Sequence, residues 1–114
     1  MYIKTSTDTD PKMPDFEIAP MRKAAGEATT LLKALANEDR LLLLCQMVDG
    51  EKCVSELEQL LDIRQPTLSQ QLGVLRTEGL VATRREGKRI YYRLASPQAL
   101  QILSTLYSLY CPRK

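Results

Sequence analysis

The feature that most constrains this chain is an abrupt change in apolar spacing at Gly79. The segment from Gln65 or Pro66 to Glu78 carries apolar residues every three or four positions, as one face of a helix requires. The members of that stripe are Leu68, Leu72 and Leu75. Beyond Gly79 the spacing changes to alternation, as in half-buried strands. A helix that runs directly into a β-hairpin restricts the chain to few folds.

The alternating segment predicts two short strands, Val81–Arg85 and Arg89–Leu94. Gly87, between them, can adopt the positive φ of a tight turn. The residues expected to share one face of the second strand are Ile90, Tyr92 and Leu94.

Apolar periodicity also predicts helices at 20–36, from an N-cap at Asn37 to Gly50, at 54–61, and from Pro97 after a cap at Ser96. The third of these helices has two candidate caps, Cys53 with Glu56 or Ser55 with Glu58, and serine is chemically the better cap. The second is expected to bury one side, made of Leu41, Leu44, Cys45 and Val48.

These elements predict a mainly α fold with a small β-hairpin, a winged helix-turn-helix of five helices and a two-stranded wing. The domain is expected to span 20–114, and 1–19, with its prolines and no apolar periodicity, to form a flexible N-terminal tail. The last helix is apolar on two faces. Because one small core needs only one of them, we expect a homodimer.

The charge of the chain is concentrated in one region. Residues 64–93 hold seven Arg or Lys and two acids, a net charge of +5, although the whole chain is only +2. A basic patch of this kind indicates a polyanionic partner, although a solvated charged face would look the same. Followed by the basic hairpin, the 65–78 helix favours double-stranded DNA.

Outward polar residues of the 65–78 helix are candidates to contact bases or phosphates, and the hairpin cations are candidates for phosphates or the minor groove. Gln70 has the amide that pairs with adenine. The full predicted DNA-binding set is Gln65, Thr67, Ser69, Gln70, Arg76, Arg84, Arg85, Lys88 and Arg89.

Histidine is absent, and the three cysteines are Cys45, Cys53 and Cys111. The lack of histidine removes the commonest general base and metal ligand, so we expect no enzyme, no cofactor and no metal site. An odd cysteine count argues against a structural disulfide framework. No apolar run is long enough to cross a bilayer and the start has no signal-peptide pattern, so a cytoplasmic protein is expected.

Three segments resemble the ArsR family of repressors: Leu32–Leu41, Gln65–Arg76 as the recognition helix, and Gly79–Lys88 with Tyr92 as the wing. The resemblance covers about residues 20–110. It implies a homodimer, with the first and last helices at the interface, bound to inverted-repeat operator DNA. A lysine usual on the recognition helix is Gly73 here, so one phosphate contact is expected to be missing.

Within that family, the cysteines resemble those of a subgroup of dithiol repressors that respond to reactive sulfur or oxidants. Cys45 on the second helix and Cys111 after the last helix match its pair, which implies a redox switch, whereas Cys53 has no place in the pattern and is expected to be structural. Metal-sensing members carry Cys-Val-Cys where this chain has Cys53-Val54-Ser55. The alternatives are a metal-responsive repressor that uses thiolates, a thiol enzyme, or a winged helix that contacts protein.

Overall fold

A computed structural model describes residues 17–111, which form five helices and three strands. The elements are α1 (Ile18–Leu35), α2 (Glu38–Gln46), β1 (Lys52–Cys53), α3 (Val54–Leu61), α4 (Thr67–Thr77), β2 (Val81–Glu86), β3 (Arg89–Leu94) and α5 (Pro97–Tyr110). The expected tail lies outside the described residues except for its last three positions, and α1 begins at Ile18, inside it.

Side-chain caps fix the starts of three helices. Asn37 Oδ1 accepts from the Arg40 N–H at 3.0 Å, and Ser96 Oγ accepts from the Ala99 N–H at 3.1 Å, as predicted. The preference for Ser55 as the cap of α3 was wrong. Cys53 is the N-cap, and Glu56 Oε1 accepts from its N–H at 2.8 Å. The Glu56 carboxylate accepts from the backbone N–H of Cys53, which would otherwise lack a partner. This contact does not depend on the side chain at the cap position.

The sheet has three antiparallel strands in the order β1-β3-β2 rather than the two predicted. The hairpin pairs Glu86 with Arg89, and Gly87 has φ 62° in the turn as expected. The additional strand, β1, pairs Lys52 with Tyr92. Two residues are too few to show an alternating pattern, so periodicity could not reveal β1.

A core of leucines holds the helices and the sheet together. The largest fully buried side chains are Leu43, Leu44, Leu57, Leu68, Leu72 and Leu75. Helix α2 ends at Gln46 rather than at Gly50, and its predicted inner face was partly wrong. Cys45 and, in the turn that follows, Val48 are exposed, whereas Leu43 and Met47 are buried. Four consecutive leucines open the apolar part of this helix, so spacing alone could not determine which side faces the core.

Two helices leave apolar surface uncovered within the chain. Every residue of α1 up to Thr30 is exposed, and only Ala34 and Leu35 are buried. In α5, Ala99 and Leu103 enter the core. The exposed apolar side chains on these two helices are Ile18, Met21, Leu32, Leu100, Tyr107, Leu109 and Tyr110. Within residues 17–111, no helix has the length and apolarity needed to span a membrane.

Candidate nucleic-acid interface and thiol pair

Helix α4 presents a polar face to solvent. Its inner stripe is buried as predicted, with Leu68, Leu72 and Leu75 all at or below 1% exposure. The opposite side carries exposed Thr67, Ser69, Gln70, Gly73 and Arg76. Exposed hydroxyl and amide groups on one helix side are suited to hydrogen bonds with base edges and phosphates.

Gln65 has a local contact that its position in the sequence did not indicate. Its Oε1 accepts a hydrogen bond from the Ser69 N–H at 3.1 Å, so the side chain satisfies one of the free donors at the start of α4. The side-chain amide group of Gln65 is left to contact other molecules.

The wing holds one arginine in a tight network and leaves other cations exposed. Arg84 donates to Glu51 and to Glu86 Oε1, the latter at 2.8 Å, and its guanidinium lies 4.6 Å from the centre of the Tyr91 ring. Hydrogen bonding to these carboxylates raises the pKa of Arg84, and the same bond lowers the pKa of Glu51. The charge of Arg84 is therefore balanced by Glu51 and Glu86, which argues against a primary phosphate contact for this residue.

The remaining predicted wing cations, Arg85, Lys88 and Arg89, are exposed. Arg85 Nε donates to the Gly87 carbonyl at 3.3 Å, close to the turn. Interaction with the Tyr91 side chain raises the pKa of Arg89, which remains a cation. These three side chains surround the hairpin tip, and none of them forms an ion pair with an acid among residues 17–111.

Cys45 and Cys111 are both free and exposed, on α2 and at the C-cap of α5. Partial desolvation raises the pKa of Cys45, and repulsion from a Cys111 thiolate raises it further. The fold has therefore brought these two distant sequence positions within electrostatic range. Cys53 is buried, with its Sγ 3.3 Å from Ser55 Oγ. No group of three or more potential metal ligands occurs in the part of the chain that the structure describes.

Sequence reasoning missed two polar contacts that shape this site. Glu51 neutralises Arg84, and Arg40 Nη1 donates to Gln71 Oε1 on α4 at 2.8 Å. The partners in each contact lie more than thirty residues apart, and no local pattern marks them. A helix with a polar outer face, followed by a basic hairpin, defines a winged helix-turn-helix, which is a DNA-binding class of protein.

Comparisons with known proteins agree with this class. The profile of the bacterial regulatory proteins of the arsR family matches residues 37–83. The biofilm growth-associated repressor of Agrobacterium fabrum is 48% identical over 111 residues, which cover 97% of this chain and 95% of that protein. The chain belongs to the ArsR family of transcriptional regulators.

Solved structures give the same assignment. The transcriptional repressor BigR from Xylella fastidiosa is 49% identical with a TM-score of 0.78, covering 86% of this chain and all of that one. Reduced HlyU from Vibrio cholerae is 42% identical with a TM-score of 0.79, covering 83% of this chain and all of that one. These similarities extend beyond the helix-turn-helix to most of the chain.

Proposed function

We propose that this regulator is a homodimeric repressor that binds inverted-repeat operator DNA and is released when Cys45 and Cys111 become bridged. The observation that carries the proposal is that two free, exposed thiols, Cys45 on α2 and Cys111 at the end of α5, interact electrostatically in the fold. The proposed role as a repressor is supported by similar proteins named as repressors from Agrobacterium fabrum and Xylella fastidiosa. HlyU of Vibrio cholerae, also similar, is named an activator.

In the proposed complex, α4 enters the major groove. Gln70 is assigned to base readout, with Thr67 and Ser69 contacting bases or phosphates. Arg85, Lys88 and Arg89 at the wing tip neutralise phosphates, and Arg76 at the end of α4 can add a further contact. This assignment is supported by the exposure of all these side chains.

The proposed dimer covers the apolar surfaces of α1 and α5. A similar chain, the Mb0332 DNA-binding domain from Mycobacterium bovis, is described as homodimeric and has a TM-score of 0.69 and 29% identity. A two-fold dimer of such DNA-binding domains matches half-sites about 34–36 Å apart, or multiples of that distance, on one side of the duplex. An inverted repeat is therefore the expected operator symmetry.

Cys45 forms its thiolate less readily because its pKa is raised, so the first step is assigned to attack by the Cys111 thiolate. This thiolate attacks a polysulfide, takes one sulfane sulfur and expels the shorter polysulfide anion. Cys45 then loses its proton and attacks Cys111 Sγ, which forms the disulfide and expels hydrosulfide. Overall the two thiols lose two protons and two electrons, and the departing sulfur accepts both electrons.

Bridging is proposed to act on DNA through α2. This helix packs against α1, α3 and α4, so fixing it to the end of α5 can change the spacing of the two recognition helices. The bridge lowers affinity only to the extent that the bridged and open forms differ in their affinity for DNA.

The test combines DNA binding with peptide mapping. Wild-type protein is used to select a duplex from a random library, and its affinity for that duplex is measured before and after polysulfide, then after dithiothreitol. We expect release, recovery, and a cross-linked peptide pair that contains Cys45 and Cys111. Release without that pair, or the pair without release, would refute the switch. Failure to select any duplex would refute the DNA-binding role.

A further inference from the structure

The guanidinium of Arg40 connects three helices. Arg40 lies in the first turn of α2, and its Nε and Nη2 donate to the carbonyls of Ala34 and Lys33, at 2.6 and 3.2 Å, in the last turn of α1. Its Nη1 donates to Gln71 Oε1 in α4 at 2.8 Å. The negative end of the α1 dipole favours a cation at this point. One side chain therefore joins the end of α1 to the middle of α4.

Gln71 differs from its neighbour Gln70 in orientation. Gln70 is exposed, whereas Gln71 is half-buried and adjoins the buried Leu72. Among residues 17–111, its contact with Arg40 is the one side-chain hydrogen bond between α4 and either α1 or α2. Gln71 is therefore turned toward the rest of the protein while Gln70 is available to DNA.

The Arg40–Gln71 hydrogen bond can define the rotation of α4 about its axis, which leucine packing alone does not. Apolar contacts are non-directional, so the stripe of α4 tolerates small rotations of the helix about its axis. A planar guanidinium has N–H groups in fixed directions, and bonding all three partners at once defines one position of α4 relative to α1. A rotation of α4 would move Gln70 away from its base while leaving the cations near the phosphates.

We propose that Arg40 and Gln71 are positioning residues, which set the angle of α4 relative to α1 and so determine operator specificity without touching DNA. The inference rests on the proposed function in one respect, that α4 reads the operator. Since α1 carries exposed apolar surface for the proposed dimer, the same bond relates the angle of α4 to the dimer interface.

The experiment uses the full chain and two duplexes of equal length, one selected by the wild-type protein and one of random sequence. Gln71→Met removes the acceptor with little change of length, and Arg40→Lys keeps the charge but loses the fork. We expect each to weaken binding to the selected duplex about tenfold, as for loss of one hydrogen bond to a charged group, and to leave binding to the random duplex unchanged. The double variant should lose no more than Arg40→Lys alone, since that substitution already removes the Arg40–Gln71 bond along with the fork to α1.

Gln59→Met, the same substitution at an exposed glutamine of α3, is the matched control and should bind as the wild type does. Melting temperatures are measured for every variant. The proposal is wrong if Gln71→Met keeps the wild-type preference for the selected duplex, if the two losses add, or if affinity for both duplexes falls together with the melting temperature. When the wild type itself selects no duplex, the proposed function fails first and this inference fails with it.

Discussion

Arg84 and Glu51 form a bidentate ion pair that fastens the wing to the segment before β1. Arg84 Nη2 lies 2.6 Å from Glu51 Oε2, and Arg84 Nε lies 2.9 Å from Glu51 Oε1. Glu86 and the Tyr91 ring complete the surroundings of the guanidinium. The basic patch available to DNA is consequently smaller than the sequence indicates, and the pair holds the wing in one orientation.

Glu51→Gln should leave Arg84 paired with Glu86 alone, which frees part of its charge for phosphate and strengthens binding to DNA of any sequence. A further phosphate contact would steepen the plot of log affinity against log salt by up to about 0.9. Glu38→Gln, an equal change of charge at an exposed site on α2, is the control and should leave the slope unchanged. Identical slopes for both variants would contradict the account of Arg84. Because the pKa of Glu51 is lowered, the pair persists at neutral pH and is lost only as pH falls through that lowered value.

Binding measurements should distinguish the residues that contact phosphates from the residue that reads bases. Lys88→Ala or Arg85→Ala should weaken binding to selected and random duplexes alike and reduce the salt slope by about 0.9, one phosphate contact each. Gln70→Ala should cost about 1–3 kcal/mol on the selected duplex and little on the random one. Equal losses of Gln70→Ala on both duplexes would remove its assignment to base readout.

The dimer proposal can be tested with two exposed leucines. Leu32 on α1 is 52% exposed and Leu60 on α3 is 55% exposed, so the two side chains are about equally accessible within one chain. We expect the wild type and Leu60→Glu to sediment as dimers at micromolar concentration under reducing conditions, and Leu32→Glu to sediment as a monomer, because a buried charge opposes association. A monomeric wild type, or a dimeric Leu32→Glu, would contradict the proposed interface.

The chemistry of Cys45 should depend on Cys111. Since desolvation and Cys111 both raise the pKa of Cys45, its thiolate should form only at higher pH than an ordinary cysteine requires. The rate of Cys45 alkylation by iodoacetamide, followed by peptide mass spectrometry, should rise with pH. Its midpoint should lie at lower pH in Cys111→Ser and be unchanged in Cys53→Ser. An alkylation midpoint that is the same in the wild type and in Cys111→Ser would show that the two thiols lie too far apart for the switch.

The sequence predicted the features that follow from local pattern. These include α3 and α4, the hairpin with Gly87, and the caps at Asn37 and Ser96, all confirmed. The family and the winged fold were also predicted correctly. The two-residue strand β1 and the orientation of α2 were not predicted, because a short strand and a run of leucines carry no usable periodicity.

The polar contacts of the site were beyond prediction for a different reason. Arg84 reads from sequence as one more wing cation, and only the fold brings Glu51 against it. Gln71 likewise resembles Gln70 until the position of Arg40 is known. Charge and composition indicate which residues can contact DNA, whereas tertiary contacts decide which remain free to do so.

The most direct test of the thiol switch is release from the selected duplex by polysulfide, measured for three single variants beside the wild type. Cys45→Ser and Cys111→Ser should each bind the duplex normally in reductant and stay bound after polysulfide, whereas Cys53→Ser should be released as the wild type is. This follows because the bridge needs both thiols of the pair, while Cys53 is buried beside Ser55. Release of Cys111→Ser by polysulfide would contradict the paired-thiol account.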